Sequence, residues 1–153
     1  MSGISNEADF KRELQALNPE QQRQVAALFV EHVLPLSNDK RLDRVVRTAA
    51  DPEASTEELS AALRSAMAVT FDSHAVCGAE GHWSDQAGYF VARAAVAATT
   101  TPEHSRAGGP AWLAAMSARM AYTSMLIDDV TDQHSAHTEC EWQWQCLSDY
   151  LNA

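Results

Sequence analysis

Asp128-Asp129-Val130-Thr131-Asp132 places three carboxylates within five residues. On a helix, side chains three or four positions apart share a face, so Asp128 and Asp132 would project together and chelate Mg²⁺ through oxygen. Two further runs offer softer ligands of the kind Zn²⁺ accepts: His74-x2-Cys77-x4-His82 and His134-x2-His137-x2-Cys140. Neither has the paired ligands of a standard zinc module, and the same residues serve equally well as local caps and small buried thiols. A di-iron carboxylate bundle needs Glu-x-x-His on inward helix faces. No Glu or Asp stands three residues before any of the six histidines, which excludes that chemistry. There is no Gly-x-Ser-x-Gly elbow and no glycine-rich phosphate loop. A Ser or Cys nucleophile with a His base stays open, because such partners need only be close in space.

The Asp128–Asp132 segment resembles the aspartate-rich motif of prenyltransferases and class I terpene cyclases, where it holds Mg²⁺ on a diphosphate. That resemblance implies a Mg²⁺-dependent diphosphate enzyme with Asp128, Asp129 and Asp132 as ligands. The chain departs from the pattern in length and in lacking a second metal motif downstream. Basic residues to hold a diphosphate are also scarce, since only Arg106 and Arg119 follow Arg93. The plainer reading is an acidic, solvated turn, where carboxylates at a helix C-terminus oppose the macrodipole at small cost.

The elements that carry these residues read as helices almost throughout. Six glycines and five prolines are few, alanine is abundant, and no alternating apolar–polar run is flanked by hairpin turn signals. A first helix is expected after Asn6, with Phe10, Leu14 and Leu17 on one face. Asn18-Pro19-Glu20-Gln21 reads as a capped start for a second, carrying Val25, Leu28, Phe29, His32 and Val33 and stopped by Pro35. A third carries Leu42, Val45, Val46 and Ala49. Ser55-Thr56-Glu57-Glu58 is a capping box for a fourth, with Leu59, Ala62, Leu63, Ala66, Met67 and Phe71 inward and a break at Gly78 and Gly81. A fifth starts near Asp85 and buries Phe90, Val91, Ala94, Ala95 and Ala98. After a loop from Thr99 to Pro110 comes a sixth through Trp112, Ala115, Met116, Arg119, Met120 and Thr123. Thr138-Glu139-Cys140-Glu141 is read as a capping box for a last helix through Trp142, Cys146 and Tyr150. The expectation is an all-α bundle of six to seven helices, a single domain over residues 1–153. Alanine on the inward faces allows close helix approach and leaves little room for a large cofactor, so none is expected.

The chain has 153 residues, enough for a core without metal or disulfide staples. Eleven Lys and Arg against 21 Asp and Glu give a net charge of −10, which argues against a phosphate-backbone binder and so against a nucleic-acid partner. A basic protein partner fits the charge better. The longest apolar stretch, Tyr89 to Ala98, is interrupted by Arg93 and too short to span a bilayer. The first residues lack the basic start and apolar stretch of a secretory leader, and an odd number of cysteines (Cys77, Cys140, Cys146) reads as reduced thiols. Both point to the cytoplasm. Within Glu141-Trp142-Gln143-Trp144-Gln145, the two tryptophans project about 200° apart on a helix. Either one is exposed as an interface anchor, or the helix is covered on two sides.

Several segments together resemble a family of small alanine-rich helical proteins, the immunity proteins of bacterial polymorphic-toxin systems. They are Phe29-Val30-Glu31-His32-Val33-Leu34-Pro35, the short helix Arg41 to Ala50, Ser73-His74-Ala75, the alanine-rich run Tyr89 to Ala98, and Glu141-Trp142-Gln143-Trp144-Gln145-Cys146-Leu147 running into Tyr150-Leu151. The resemblance covers about residues 28–98 and 139–151, and departs at Cys77 to Ser84 and Asp128 to Thr138. It implies a non-enzymatic protein that binds and occludes a cognate toxin, and it carries no catalytic residues. Under that reading Asp128, Asp129, Asp132, Glu139 and Glu141 form a charged patch for a basic toxin, with Trp142 or Trp144 as anchor. The alternatives are a small-molecule or metal-binding helical protein using His74, Cys77 and His82 or the aspartates, and the diphosphate enzyme above.

Overall fold

The computed structural model describes residues 4–80, 83–105, 107–128 and 136–153. Seven α-helices and no strand occur among them: α1 Glu7–Gln15, α2 Pro19–Val33, α3 Arg41–Ala50, α4 Thr56–Glu80, α5 Trp83–Thr99, α6 Gly109–Asp128 and α7 Ala136–Leu151. The architecture is the all-α bundle expected from the periodicity. Short 3₁₀ turns at Leu34–Leu36 and Pro102–His104 join α2 to α3 and α5 to α6. None of the described helices is long and apolar enough to cross a membrane.

The helix starts follow local side-chain chemistry. Asn6 accepts from the Asp9 amide at 2.8 Å. Asn18 and Gln21 exchange two bonds of 2.8 and 3.0 Å, and Ser55 and Glu58 do the same at 3.0 Å each, so both capping boxes form. Thr138 is not a cap. Helix α7 begins two residues earlier at Ala136, which puts Thr138 inside its first turn. Likewise Gly78 lies within α4, and α5 opens at Trp83.

Helices α5 and α6 pack against each other most extensively, with α2 and α4 against them. Their contact is built from alanine: Ala94, Ala95 and Ala98 on α5, and Ala111, Ala114, Ala115, Ala118 and Ala121 on α6 are all essentially buried. Side chains this small let helix axes approach closely. Larger groups sit where α1 closes one end. Phe10 packs on Phe29 and Trp112 with ring centroids 5.9 and 6.1 Å apart. Gln22, 7% exposed, ties the same end together by donating to the Leu14 carbonyl at 2.7 Å and accepting from the Ala111 amide at 3.0 Å.

Helix α4 corrects the expected inward face. It buries Ala62, Ala66 and Val69, whereas Met67 and Phe71 are 55% and 76% exposed. Phe71 lies two residues past Val69, about 200° round the helix, so the packing that buries Val69 on one side of α4 leaves Phe71 on the other.

Candidate functional site

Helix α7 lies across α1, α2 and α6, and its inward stripe is mostly polar. Glu139, Gln143 and Leu147, each four residues apart, are all essentially buried. Gln143 donates from Nε2 to the Ala115 carbonyl at 3.0 Å, and its Oε1 accepts from Arg119 Nε at 2.8 Å. The Arg119 guanidinium then pairs with Glu7, with Nη2 2.9 Å from Oε1 and Nη1 against Oε2. Trp144 Nε1 donates to Glu7 Oε1 at 3.4 Å. The bond from Arg119, followed by its charge, holds Glu7 below the ordinary carboxylate range against the opposing effect of burial.

At the other side of α7, His32 of α2 meets Glu139 and Trp142. Its Nδ1 stands 2.7 Å from one oxygen of the Glu139 carboxylate and 3.0 Å from the other. The nearer oxygen has no aligned hydrogen bond. The imidazole also lies flat on the Trp142 indole, with centroids 3.5 Å apart and planes 7° apart. Burial raises Glu139 above the ordinary carboxylate value, while the His32 bond and the charges of His32 and Arg119 pull it back. A carboxylate behind an imidazole fixes its tautomer and orientation.

Of the expected charged patch, the structure describes the side chains of Glu139 and Glu141 only. Glu139 faces inward, because the α7 register that seats Gln143 and Leu147 carries it onto His32. Glu141 is exposed. Trp142 and Trp144 are both half-buried, because α7 is covered on two sides, by His32 of α2 and Glu7 of α1. Asp128 ends α6 with its side chain outside the described ones, and Asp129 and Asp132 lie outside the described residues. The same holds for His82 and His134, and for the side chains of His74 and Cys77 on α4 and His137 on α7. Among the described residues no group of three or more His, Cys, Asp or Glu could hold a metal ion.

Between α2 and α7 an open cleft of about 320 Å³ is lined by Leu28, Trp142, Gln145, Cys146, Asp149 and Tyr150. Leu28 is 37% exposed at its mouth. Tyr150 is fixed by donating its hydroxyl to Gln24 Oε1 at 2.6 Å. Burial, then the charges of Asp149 and Glu139, push the Cys146 thiol up to about 11, so it stays protonated and serves as an apolar wall. Helix α7 contains no Lys or Arg. The single arginine of α2, Arg23, turns away to donate to the carbonyls of Ala49 and Asp51 at 3.0 and 2.9 Å. The cleft therefore combines an apolar floor with an acidic edge. Sequence reading singled out Trp142 here but missed Leu28, Asp149 and Tyr150, whose only signal was their spacing along two helices not known to touch.

Comparison with protein-family models, with curated proteins and with solved structures finds no match.

Proposed function

We propose that this chain is a non-enzymatic protein-binding module that engages a basic partner through the α2–α7 face. The observation that carries this reading is the cleft between Leu28 and Trp142, with its acidic edge of Asp149 and no lysine or arginine on α7. Interfaces concentrate Trp and Tyr at a desolvated centre ringed by polar groups, and long cationic side chains lay apolar stems along such surfaces. A lysine or arginine of the partner fits the cleft in that way, stem on Trp142 and Leu28, charge toward Asp149. The net charge of −10 would speed the encounter by long-range steering. In the form that the sequence resemblance gives it, the partner is a cognate toxin and binding neutralises it by occlusion.

A photo-cross-linking residue placed at Gln145, on the cleft, tests this against the same residue at Glu57, exposed on α4. The reading expects a discrete adduct with a basic protein in cells from position 145 and not from 57. Equal labelling from both positions, or none from either, would contradict it.

A further inference from the structure

A second concavity lies on another face, between α4, α5 and α6. It has a volume of about 580 Å³ and is walled by the apolar side chains of Met67, Phe71, Val96 and Leu113. That volume falls within the range of sites that take small organic ligands, roughly 300–1,000 Å³. The outward turn of Met67 and Phe71 makes one wall of it.

Several polar groups of this groove are already satisfied. The hydroxyls of Thr70 and Thr100 donate to the carbonyls of Ala66 and Val96 at 2.8 and 2.6 Å, and His104 Nδ1 is paired with Thr101 Oγ1 at 2.9 Å. The Arg93 guanidinium sits 5.8 Å from the centroid of the Tyr89 ring and has no carboxylate partner among the described residues. Ser105 Oγ is buried with no hydrogen-bond partner. In a chain with almost twice as many acidic as basic residues, an arginine left without a carboxylate beside an apolar groove is an uncommitted anion receptor. An unpaired buried hydroxyl beside the same space is costly unless something completes it.

We propose that this groove binds a small amphiphile, an apolar chain seated between Phe71 and Leu113 with an anionic head on Arg93. The chemistry shared by a fatty carboxylate and an alkyl sulfate or phosphate meets this description. The site is separate from the α2–α7 cleft and independent of the partner proposed there.

Calorimetric titration of the full chain with decanoate, decyl sulfate and uncharged decanol, each below its aggregation threshold, tests the proposal. Saturable binding of one decanoate or decyl sulfate per chain is expected, the stronger of the two naming the head group. Arg93→Gln should weaken the anionic ligand about tenfold, the loss of one charge-assisted contact, and leave decanol unchanged. Phe71→Ser, at an exposed position that the fold does not need, should weaken all three. The proposal is overturned if none of the three ligands saturates, or if Arg93→Gln leaves anion affinity intact. It is also overturned if wild-type chain forms a concentration-dependent dimer that Phe71→Ser abolishes, since a second copy would then be the occupant.

Discussion

His32 lies face to face with Trp142 at 3.5 Å while its Nδ1 is held by the buried carboxylate of Glu139, so one side chain of α2 seats two residues of α7. Beyond Leu147, the fully buried side chains of α7 among the described ones are the polar Glu139 and Gln143, and Glu139 makes the fit of this helix sensitive to protonation.

Because burial raises Glu139, the folded chain holds that proton to higher pH than the unfolded chain does. Its contribution to stability is complete below the unfolded carboxylate pKa and is lost as pH rises through the raised folded value. Glu139→Gln is neutral throughout and can still accept from His32. The variant should gain melting temperature relative to wild type as pH is raised from acid toward neutral. A difference that stays flat across that window would show that Glu139 titrates normally.

Glu7 has the opposite sign. Arg119 holds it low, so its contribution is present above the unfolded carboxylate pKa and is lost as pH falls through the depressed folded value. Glu7→Gln should therefore destabilise at neutral pH and converge on wild type in acid. The effect should be small, because the Glu7 side chain is 47% exposed and screened by solvent. Thermal melts at matched ionic strength measure it, and a penalty that persists in acid contradicts it.

Gln22 bridges the end of α1 and the start of α6 with both ends of its amide. Gln22→Ala leaves the Ala111 amide without this partner in a buried setting, at about 1–3 kcal/mol, and takes from the Leu14 carbonyl one bond while the Leu17 amide still donates to it at 3.2 Å. Urea denaturation should show the midpoint falling with the slope unchanged. A loss below about 0.5 kcal/mol would mean that water replaces the amide without penalty.

Gly108 has φ +101°, and a Cβ built there would stand 2.4 Å from Trp112 Cδ1. Gly109 has φ +86°, and its nearest contact would be Gln22 Oε1 at 3.3 Å. Both alanine substitutions carry the left-handed penalty of about 1–2 kcal/mol. Gly108→Ala should cost more, because the indole that packs on Phe10 must also move. Equal melting-temperature losses would contradict this ordering.

The helix starts were legible because caps act within four residues: Asn6, Asn18 with Gln21, and Ser55 with Glu58 each pair as their spacing predicts. The same pattern at Thr138 misleads, since a Thr-x-x-Glu run caps only when the threonine backbone is outside the helix. On α4 the sequence holds two stripes at helical spacing, Ala62-Ala66-Val69 and Leu63-Met67-Phe71, and only packing against α3 and α5 selects the smaller one. The polar seam was invisible for another reason. His32 and Glu139 are 107 residues apart, and Glu7 and Arg119 are 112 apart, so no local pattern links them.

The partner-binding account is tested most directly by native mass spectrometry of the chain recovered gently from its own cells. Wild type should be compared with the exposed-site variant Glu141→Lys/Gln145→Lys/Asp149→Lys and with Arg93→Gln. The account predicts the same stoichiometric, protein-sized mass increment on wild type and Arg93→Gln, and its loss from the triple variant. A bare wild-type chain, or an increment that survives all three charge changes on α7, would contradict it.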